Sequence, residues 1–487
     1  MGLWGGPRRG LLGAWLLVLG GTALGGGTGC GRLSYDPRDA APSADAASID
    51  APTSDVAVDA ARDATLDTGA CLEGTACPGG ICRAGSCCTG CWDPVVGACH
   101  SGDALEQCGA AGRTCRACSC LGDACASGVC AAASPFEAVQ PGDTHTCAIR
   151  SGGDVLCWGN HTIGQTGTGP LGAGTSPRAP AVAVGAAREI NGSHEHVCAR
   201  TDTGVVCWGR GWEGQLGDGA AIPSGTPTSA FGAGAGHLDT GFIGSALVSS
   251  TGAAFVWGRN TAEGFLGLGA ITDDIVRPAM LVGTGAVDVG LGHTHGCVVL
   301  DTGRLLCFGG NDTGQLGLGA TSAAVTTPTE TTGLESVRVV EVDGGFVHTC
   351  ALDDAGGLWC TGGNLEGSLG LGDREMRVRF ERVGTARYRA LSVAARGLHT
   401  CALTVDDVMH CWGANESRQI AAQLGDSIDV PTVIDLGPVV GIGAGVRHSC
   451  AITLGGALYC WGDDAQGQVN AGVASVGPSD VVRVCAP

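Results

Sequence analysis

The sequence predicts an all-β chain whose larger part is a seven-bladed β-propeller, preceded by a disulfide-rich small module and a disordered linker. Three observations carry this. A unit of about 50 residues recurs seven times, with its aromatic position at Trp158, Trp208, Trp257, Phe308, Thr361, Trp412 and Trp461 and steps of 50, 49, 51, 53, 51 and 49 residues. A fixed period in this range marks stacked or radial supersecondary units. Each copy carries short alternating apolar runs, such as Val155-Leu156-Cys157-Trp158 and Ala402-Leu403-Thr404, bounded by Gly, Asp and Ser, as in short antiparallel strands with tight turns. Glycine supplies 87 of 487 residues, which suits turns at positive φ. A four-stranded blade cannot bury both faces alone, and seven of them close into a ring.

The repeat pattern is His-x-Cys-Ala, then Cys-Trp-Gly-x-Asn, then Gly-Gln-Leu-Gly. The closing motif is complete at Gly214-Gln215-Leu216-Gly217 and Gly314-Gln315-Leu316-Gly317. It is degraded at Gly264-Phe265-Leu266-Gly267, Gly367-Ser368-Leu369-Gly370 and Gly467-Gln468-Val469-Asn470. In the sixth repeat it slips four residues, to Gln423-Leu424-Gly425. This pattern resembles the regulator of chromosome condensation (RCC1) repeat over residues 134–487. The resemblance implies a seven-bladed ring running from Phe136 to Val481-Val482-Arg483-Val484, closed by pairing strands from its two ends.

Six repeats contain a cysteine pair: Cys147 with Cys157, Cys198 with Cys207, Cys297 with Cys307, Cys350 with Cys360, Cys401 with Cys411, and Cys450 with Cys460. In a hairpin turning near Gly152, Cys147 and Cys157 fall opposite each other, and opposed strand residues lie within bridging range. The third repeat has Ala246 and Val256 instead. Loss of both partners together favours disulfides over buried free thiols. Thirteen further cysteines between Cys71 and Cys130 mark a bridged, loop-rich module over residues 71–133. Their odd number makes Cys485 a partner for Cys130 or a neighbour. Zinc is the alternative for Cys88-x-x-Cys91 and Cys115-x-x-Cys118, but the spacing and surplus cysteines fit it poorly.

Residues 1–29 read as a signal peptide: Arg8-Arg9, an apolar stretch from Leu11 to Leu24, then Gly27-Thr28-Gly29-Cys30. This end resembles a bacterial lipobox, which implies lipidation at Cys30 and a lipid-anchored protein of the bacterial cell envelope. Gly27 departs from the usual apolar residue, and plain secretion is the alternative. Residues 30–70 form a tether, almost wholly Ala, Asp, Pro, Ser, Thr, Val and Gly from residue 38 onward, too polar to fold alone. No other segment is apolar and long enough to span a bilayer, so the membrane is reached through the N-terminal lipid only. The net charge of −20 argues against nucleic acid, which needs a basic footprint.

The search for chemistry returns mainly architecture. His145, His196, His295, His348, His399 and His448 stand two residues before a repeat cysteine. One residue per blade at a fixed position reads as structural, bonding a turn carbonyl of its own blade. His194-Glu195-His196 lacks the one-turn spacing of a zinc protease helix, and Gly167-x-Gly169-x-x-Gly172 has no βαβ unit around it. The chain is expected to have no catalytic residues, no metal and no cofactor, and to be a monomer. Carboxylates from different blades are the one catalytic arrangement that sequence leaves open. The expected function is a protein-interaction or scaffold module whose propeller loops bind an unidentified protein or a glycan. Inhibition of a secreted enzyme is the alternative, because a bacterial propeller of this repeat type inhibits β-lactamases; Trp212 is a candidate contact. Guanine-nucleotide exchange, the founding family's activity, needs a loop wedge for which the even repeat steps leave little room.

Overall fold

The computed structural model describes residues 135–484, apart from residues 173, 177–180, 243, 261–263, 270–272 and 470–478, together with short strands between Ala76 and Ala131. The signal peptide, Cys30, the tether, most of the cysteine-rich module and Cys485 lie outside the described residues. Within the cysteine-rich part, Ala76–Cys77, Gly80–Arg83 and Ser86–Cys88 form one small sheet, and two hairpins follow. Backbone register sets Cys82 opposite Cys87 and Cys125 opposite Cys130.

Residues 136–484 form seven four-stranded antiparallel sheets, each built from consecutive strands. The first runs Phe136–Pro141, His145–Arg150, Val155–Asn160 and Thr175–Ser176. The last runs Val439–Ala444, His448–Thr453, Leu458–Gly462 and Ser479–Val484. The first strand of each blade packs on that of the next, so these strands surround the axis.

The expected pairing of the chain's two terminal strands is not made. Ser479–Val484 is the outer strand of the last blade and Phe136–Pro141 the inner strand of the first. The ring closes instead through contacts of the kind found between its other blades, side-chain bonds prominent among them. The Trp158 indole donates to the Gln468 carbonyl at 2.9 Å, and the Thr146 hydroxyl donates to the same oxygen at 2.7 Å.

That contact repeats around the ring and explains the repeat motif. The indoles of Trp208 and Trp257 donate to the carbonyls of Gln165 and Gln215 in the preceding blade, and Trp412 to that of Ser368, each at 2.9 Å. These rings are fully buried and lie against the motif's last glycine. At Gly217, φ is +68° and an added Cβ would stand 2.8 Å from the Trp257 indole nitrogen. In the fifth blade Thr361 replaces the tryptophan; its hydroxyl donates to the Gly314 carbonyl at 3.1 Å, and Phe380 fills the space beside Gly317.

Gly217→Ala is therefore expected to destabilise the ring by about 3 kcal/mol, combining left-handed backbone strain with overpacking. Gly269 has φ +81° and nothing within 4 Å of its Cβ position. Gly269→Ala should lose only the backbone part, about 1–2 kcal/mol. Chemical denaturation of the two variants checks this, and equal losses would mean that the tryptophan contact is unimportant.

The sixth blade corrects the sequence reading of a motif displaced to Gln423-Leu424-Gly425. The equivalent residues are Arg418-Gln419-Ile420-Ala421. The Gln419 side chain accepts the Ser417 backbone N–H at 2.8 Å, as Gln215 accepts that of Glu213 at 3.0 Å. Ile420 is buried like Leu216 and Leu316, and Arg418 adopts the left-handed φ of +59° where every other blade has glycine. Geometry is kept at this position although the motif letters have changed.

The six cysteine pairs expected from the repeat are disulfide-bonded. Cys147 is joined to Cys157, Cys198 to Cys207 and Cys297 to Cys307, each with a Cα separation of 4.1 Å. Cys350 is joined to Cys360 and Cys401 to Cys411 at 4.2 Å, and Cys450 to Cys460 at 4.1 Å. Every bridge links directly opposed residues of the two middle strands of its blade. Cys207, Cys307, Cys360, Cys411 and Cys460 are fully buried, as is Cys157, so the third strand of each bridged blade brings its sulfur into the core. Ala246 and Val256 occupy the same opposed positions in the third blade, where both belong to an apolar cluster.

Candidate functional site

The axial strands are the feature with chemistry. They comprise Phe136–Pro141, Ala187–Gly192, Ala235–Thr240, Ala286–Leu291, Val339–Gly344, Tyr388–Val393 and Val439–Ala444. Each is a sheet edge, with backbone groups not used by its own blade. Each also shifts register between its first and third residues. Such a bulge re-aims the side chains that follow. Its effect is to keep the first residue in the core and turn the third and fifth towards the axis.

Those third and fifth positions carry Glu189, Asn191, His237, Asp239, Asp288, Glu341, Asp343 and Ser392. They lace blade to blade by accepting the next edge's backbone N–H. Asp239 accepts from Leu291 at 2.6 Å, Asp288 from Val342 at 2.8 Å, Asp343 from Val393 at 2.7 Å and Glu341 from Leu391 at 3.1 Å. Asn191 and Ser392 do the same with Thr240 and Ala444. His237 bridges Glu189 at 2.8 Å and Asp288 at 3.1 Å.

Burial raises the carboxyls here. Glu341 is pushed up to about 7 by burial and then by the charge of Asp288. Asp239 and Asp343 also rise through burial, against the backbone N–H groups that favour their charged forms. His237 moves the other way: burial opposes its charge, but Asp288 and Glu189 hold it charged up to about 10.

One end of the axis is closed. The tips joining first and second strands converge there with Asp143, His194, Phe242, His293, Phe346 and Arg396. The rings follow in sequence, His194 on Phe242 at 4.5 Å, Phe242 stacked on His293 at 4.2 Å, and His293 on Phe346 at 4.5 Å. Arg396, in the sixth blade, crosses to Asp143 of the first at 2.9 Å and lies 5.2 Å over Phe242 of the third. His194 is pinned between Asp143 at 3.1 Å and Glu195 at 3.2 Å. Burial opposes a charge on His194, yet these two carboxylates raise it overall. The opposite mouth is rimmed by the exposed bulge residues Val287, Val340 and Val440.

The repeat histidines serve the joints between blades, which corrects the expectation that each bonds a turn carbonyl of its own blade. His196 meets the Ser245 hydroxyl of the next blade at 2.9 Å, and that hydroxyl donates to the Gln215 carbonyl of His196's own blade at 2.9 Å. The hydroxyl proton is thereby committed, so the imidazole donates from Nε2. His295–Thr349, His348–Thr400, His399–Ser449 and His448–Thr146 repeat the relay. Between the third and fourth blades all its members are exchanged together, for Gly244, Phe265, Gly296 and Phe308. His145 is the mismatch. It is buried, Val197 occupies the position where the hydroxyl of the next blade should stand, and neither ring nitrogen has a hydrogen-bond partner. Val197→Thr should complete the relay and stabilise the protein by about 1 kcal/mol. Thermal unfolding measures this, and a lower midpoint would show that His145 gains nothing from a hydroxyl there.

The remaining sequence candidates are scattered. Trp212 is 49% exposed in a loop after the third strand, with Arg210 5.2 Å from its ring. The corresponding loop of the fifth blade exposes Leu365, at 81%. Gly167, Gly169 and Gly172 are positive-φ turn residues. Among the described residues, no group of three His, Cys, Asp or Glu is arranged to hold a metal ion. The channel carboxylates were missed in the sequence. Their signal is faint: a polar residue at the third or fifth position of the first strand in six of the seven blades, in no fixed chemical type.

These features define a seven-bladed propeller whose blades are coupled through side chains around a polar axis plugged at one end. The RCC1-repeat description matches residues 302–352, and a second model of the same repeat matches residues 138–165, 286–315 and 439–468. The chain therefore carries repeats of the RCC1 type. It is 33% identical over 197 residues to the human X-linked retinitis pigmentosa GTPase regulator, covering 40% of this chain but 18% of that protein. It is 29% identical over 301 residues to the Arabidopsis thaliana ultraviolet-B receptor UVR8, covering 60% of this chain and 67% of the receptor. Among solved structures, human WBSCR16 superposes with a TM-score of 0.59 at 20% identity, covering 68% of this chain and 93% of that one. Yeast RCC1 (Prp20) in complex with Kap60 gives 0.57 at 17% identity, covering 64% and 79%. At these identities the structures share a fold.

Proposed function

We propose that this protein is a cell-envelope scaffold that binds another macromolecule through the propeller face carrying the axial plug. The observation that supports this most is the pairing of a rigid frame with apolar side chains held out from it. Trp212 and Leu365 project from equivalent loops of two well-separated blades, on the end of the ring where the tips of the first strands also gather. Large apolar groups presented on a rigid scaffold are the usual anchors of recognition. Anchoring rests on the Cys30 segment and the tether that follows it. Inhibition of a secreted enzyme is the form this binding takes if the partner proves to be an enzyme. Catalysis is not assigned: the axial carboxylates accept backbone N–H groups and act as joints.

The test is capture from envelope and secreted fractions with the full oxidised chain, in parallel with a Trp212→Ala/Leu365→Ala variant. One protein held by the wild type and lost from the variant is the expected result; an activity assay on it then separates inhibitor from scaffold. A partner held equally by both would move the interface elsewhere on the ring. Metabolic labelling with a fatty-acid analogue, compared between wild type and Cys30→Ala, tests the anchor.

A further inference from the structure

We propose that the axial cavity is a binding site for an organic cation, an ammonium or guanidinium group, held beneath the plug. The cavity measures about 370 Å³ and is lined by Gln140, Asn191, Ser193, Asp239, Glu341 and Asp343 among others. That lies within the range of small-ligand pockets.

Two independent observations point to a cation. The first is charge. Glu189, Asp239, Asp288, Glu341 and Asp343 face the axis from the second to fifth blades, against His237, with Arg200 taking up part of Glu189 at 2.8 Å and Arg396 in the plug paired with Asp143 at 2.9 Å. The first, sixth and seventh blades contribute no titratable group at the corresponding positions, only Ala138, Gln140, Ala390, Ser392, Gly441 and Gly443. The second is Ser193. It lines the same cavity near the plug, is only 5% exposed, and its hydroxyl oxygen has no hydrogen-bond partner. A buried hydroxyl left unpaired is unfavourable, and an N–H donor entering the cavity satisfies it.

The donor set selects the kind of cation. The carboxylates stand on separate blades, and many of their oxygens already accept backbone N–H groups. They surround a volume instead of converging on a point, which matches the absence of a metal-holding group among the described residues. A guanidinium or ammonium spreads several N–H donors over such a volume. It also offsets the burial that, with the charge of Asp288, keeps Glu341 and Asp239 partly protonated near neutral pH, so binding expels protons.

Isothermal titration at pH 7 and low salt, in two buffers of different ionisation enthalpy, tests this. The probes are n-propylguanidinium and a blocked Gly-Arg-Gly peptide. The expected result is saturable binding with proton release, weakened at least about tenfold in Glu341→Gln and Asp343→Asn and less in Ser193→Ala. Tighter binding of the peptide identifies a partner's side chain as the source; tighter binding of the free cation identifies a small ligand. The Glu341→Gln/Asp343→Asn double variant removes charge repulsion, and circular dichroism verifies that it is folded. No heat with either probe, or binding unchanged in the double variant, overturns the proposal and leaves a cavity filled by water alone.

Discussion

Fully reduced protein should fail to refold, whereas oxidised protein should recover its ring. Each intra-blade disulfide closes a short hairpin loop, with sequence separations of 9 or 10 residues. The chain-entropy relation assigns such a bridge about 2.7 kcal/mol, so six amount to roughly 16 kcal/mol. Typical net stabilities are only about 5–15 kcal/mol. The sequence also offers little to compensate: aromatic residues are 4% of the chain, and the blade cores rely on alanine, valine and the bridges themselves. Refolding from denaturant with and without reductant, followed by tryptophan fluorescence, measures the difference. A reduced ring of nearly unchanged midpoint would show that blade packing alone is sufficient. The third blade offers a gain of the same kind. Ala246 and Val256 are already opposed, so Ala246→Cys/Val256→Cys should form a seventh intra-blade bridge.

Acidification should unfold the ring well before carboxylate protonation is complete, because the joints between blades depend on neutral imidazoles. Burial lowers His145, His295 and His399 to about 4, and His196, His348 and His448 to about 3. In the unfolded chain these residues take up protons near 6.5. The unfolded state therefore binds more protons below that value, so this stability is complete above pH 6.5 and falls as pH drops. Glu341 and Asp239 act in the opposite sense. Their raised values stabilise at low pH and lose that contribution as pH climbs towards 7. His237, raised to about 10, loses its contribution as pH rises from 6.5 to 10. Six imidazoles outweigh the carboxyls, so stability should peak near neutrality and fall by on the order of 5 kcal/mol between pH 7 and pH 5. Calorimetric midpoints across this range test the balance. Asp343→Asn removes part of the opposing contribution and should steepen the acid limb. A flat profile would mean that the relays tolerate protonation.

The blades were legible because their signals are local and repeated. Tryptophan and the paired cysteines fall at fixed positions, and a hairpin's register follows from the turn between them. What the sequence hid lies between blades. The partner of His196 is Ser245, nearly one full repeat away, and nothing nearby marks the two as related. The relay becomes readable only when the histidine and the hydroxyl are seen to be lost together, at Gly244 and Gly296. The axial carboxylates were hidden for a second reason. A bulge turns their strand, so simple alternation from Phe136 or Val339 assigns the wrong face. Their chemistry also varies, from Asp and Glu to Asn and Ser, because any acceptor can serve an edge N–H. In the sixth blade, letters misled where geometry did not: Arg418 holds a glycine's backbone while Gln423-Leu424-Gly425 imitates the motif.

The seam between the last and first blades is made like the others. The Phe136 N–H donates to the Gly456 carbonyl at 2.9 Å, just as Ala187 donates to Gly153, Ala286 to Gly252, Val339 to Gly303, Tyr388 to Gly356 and Val439 to Asp407. No blade is stitched from both ends of the polypeptide, so the ring has no privileged beginning. A circular permutant that joins the native ends with a flexible linker and opens between any two blades should rebuild the same circle. For the same reason, lineages of such rings are free to gain, lose or exchange whole blades without having to reinvent a clasp.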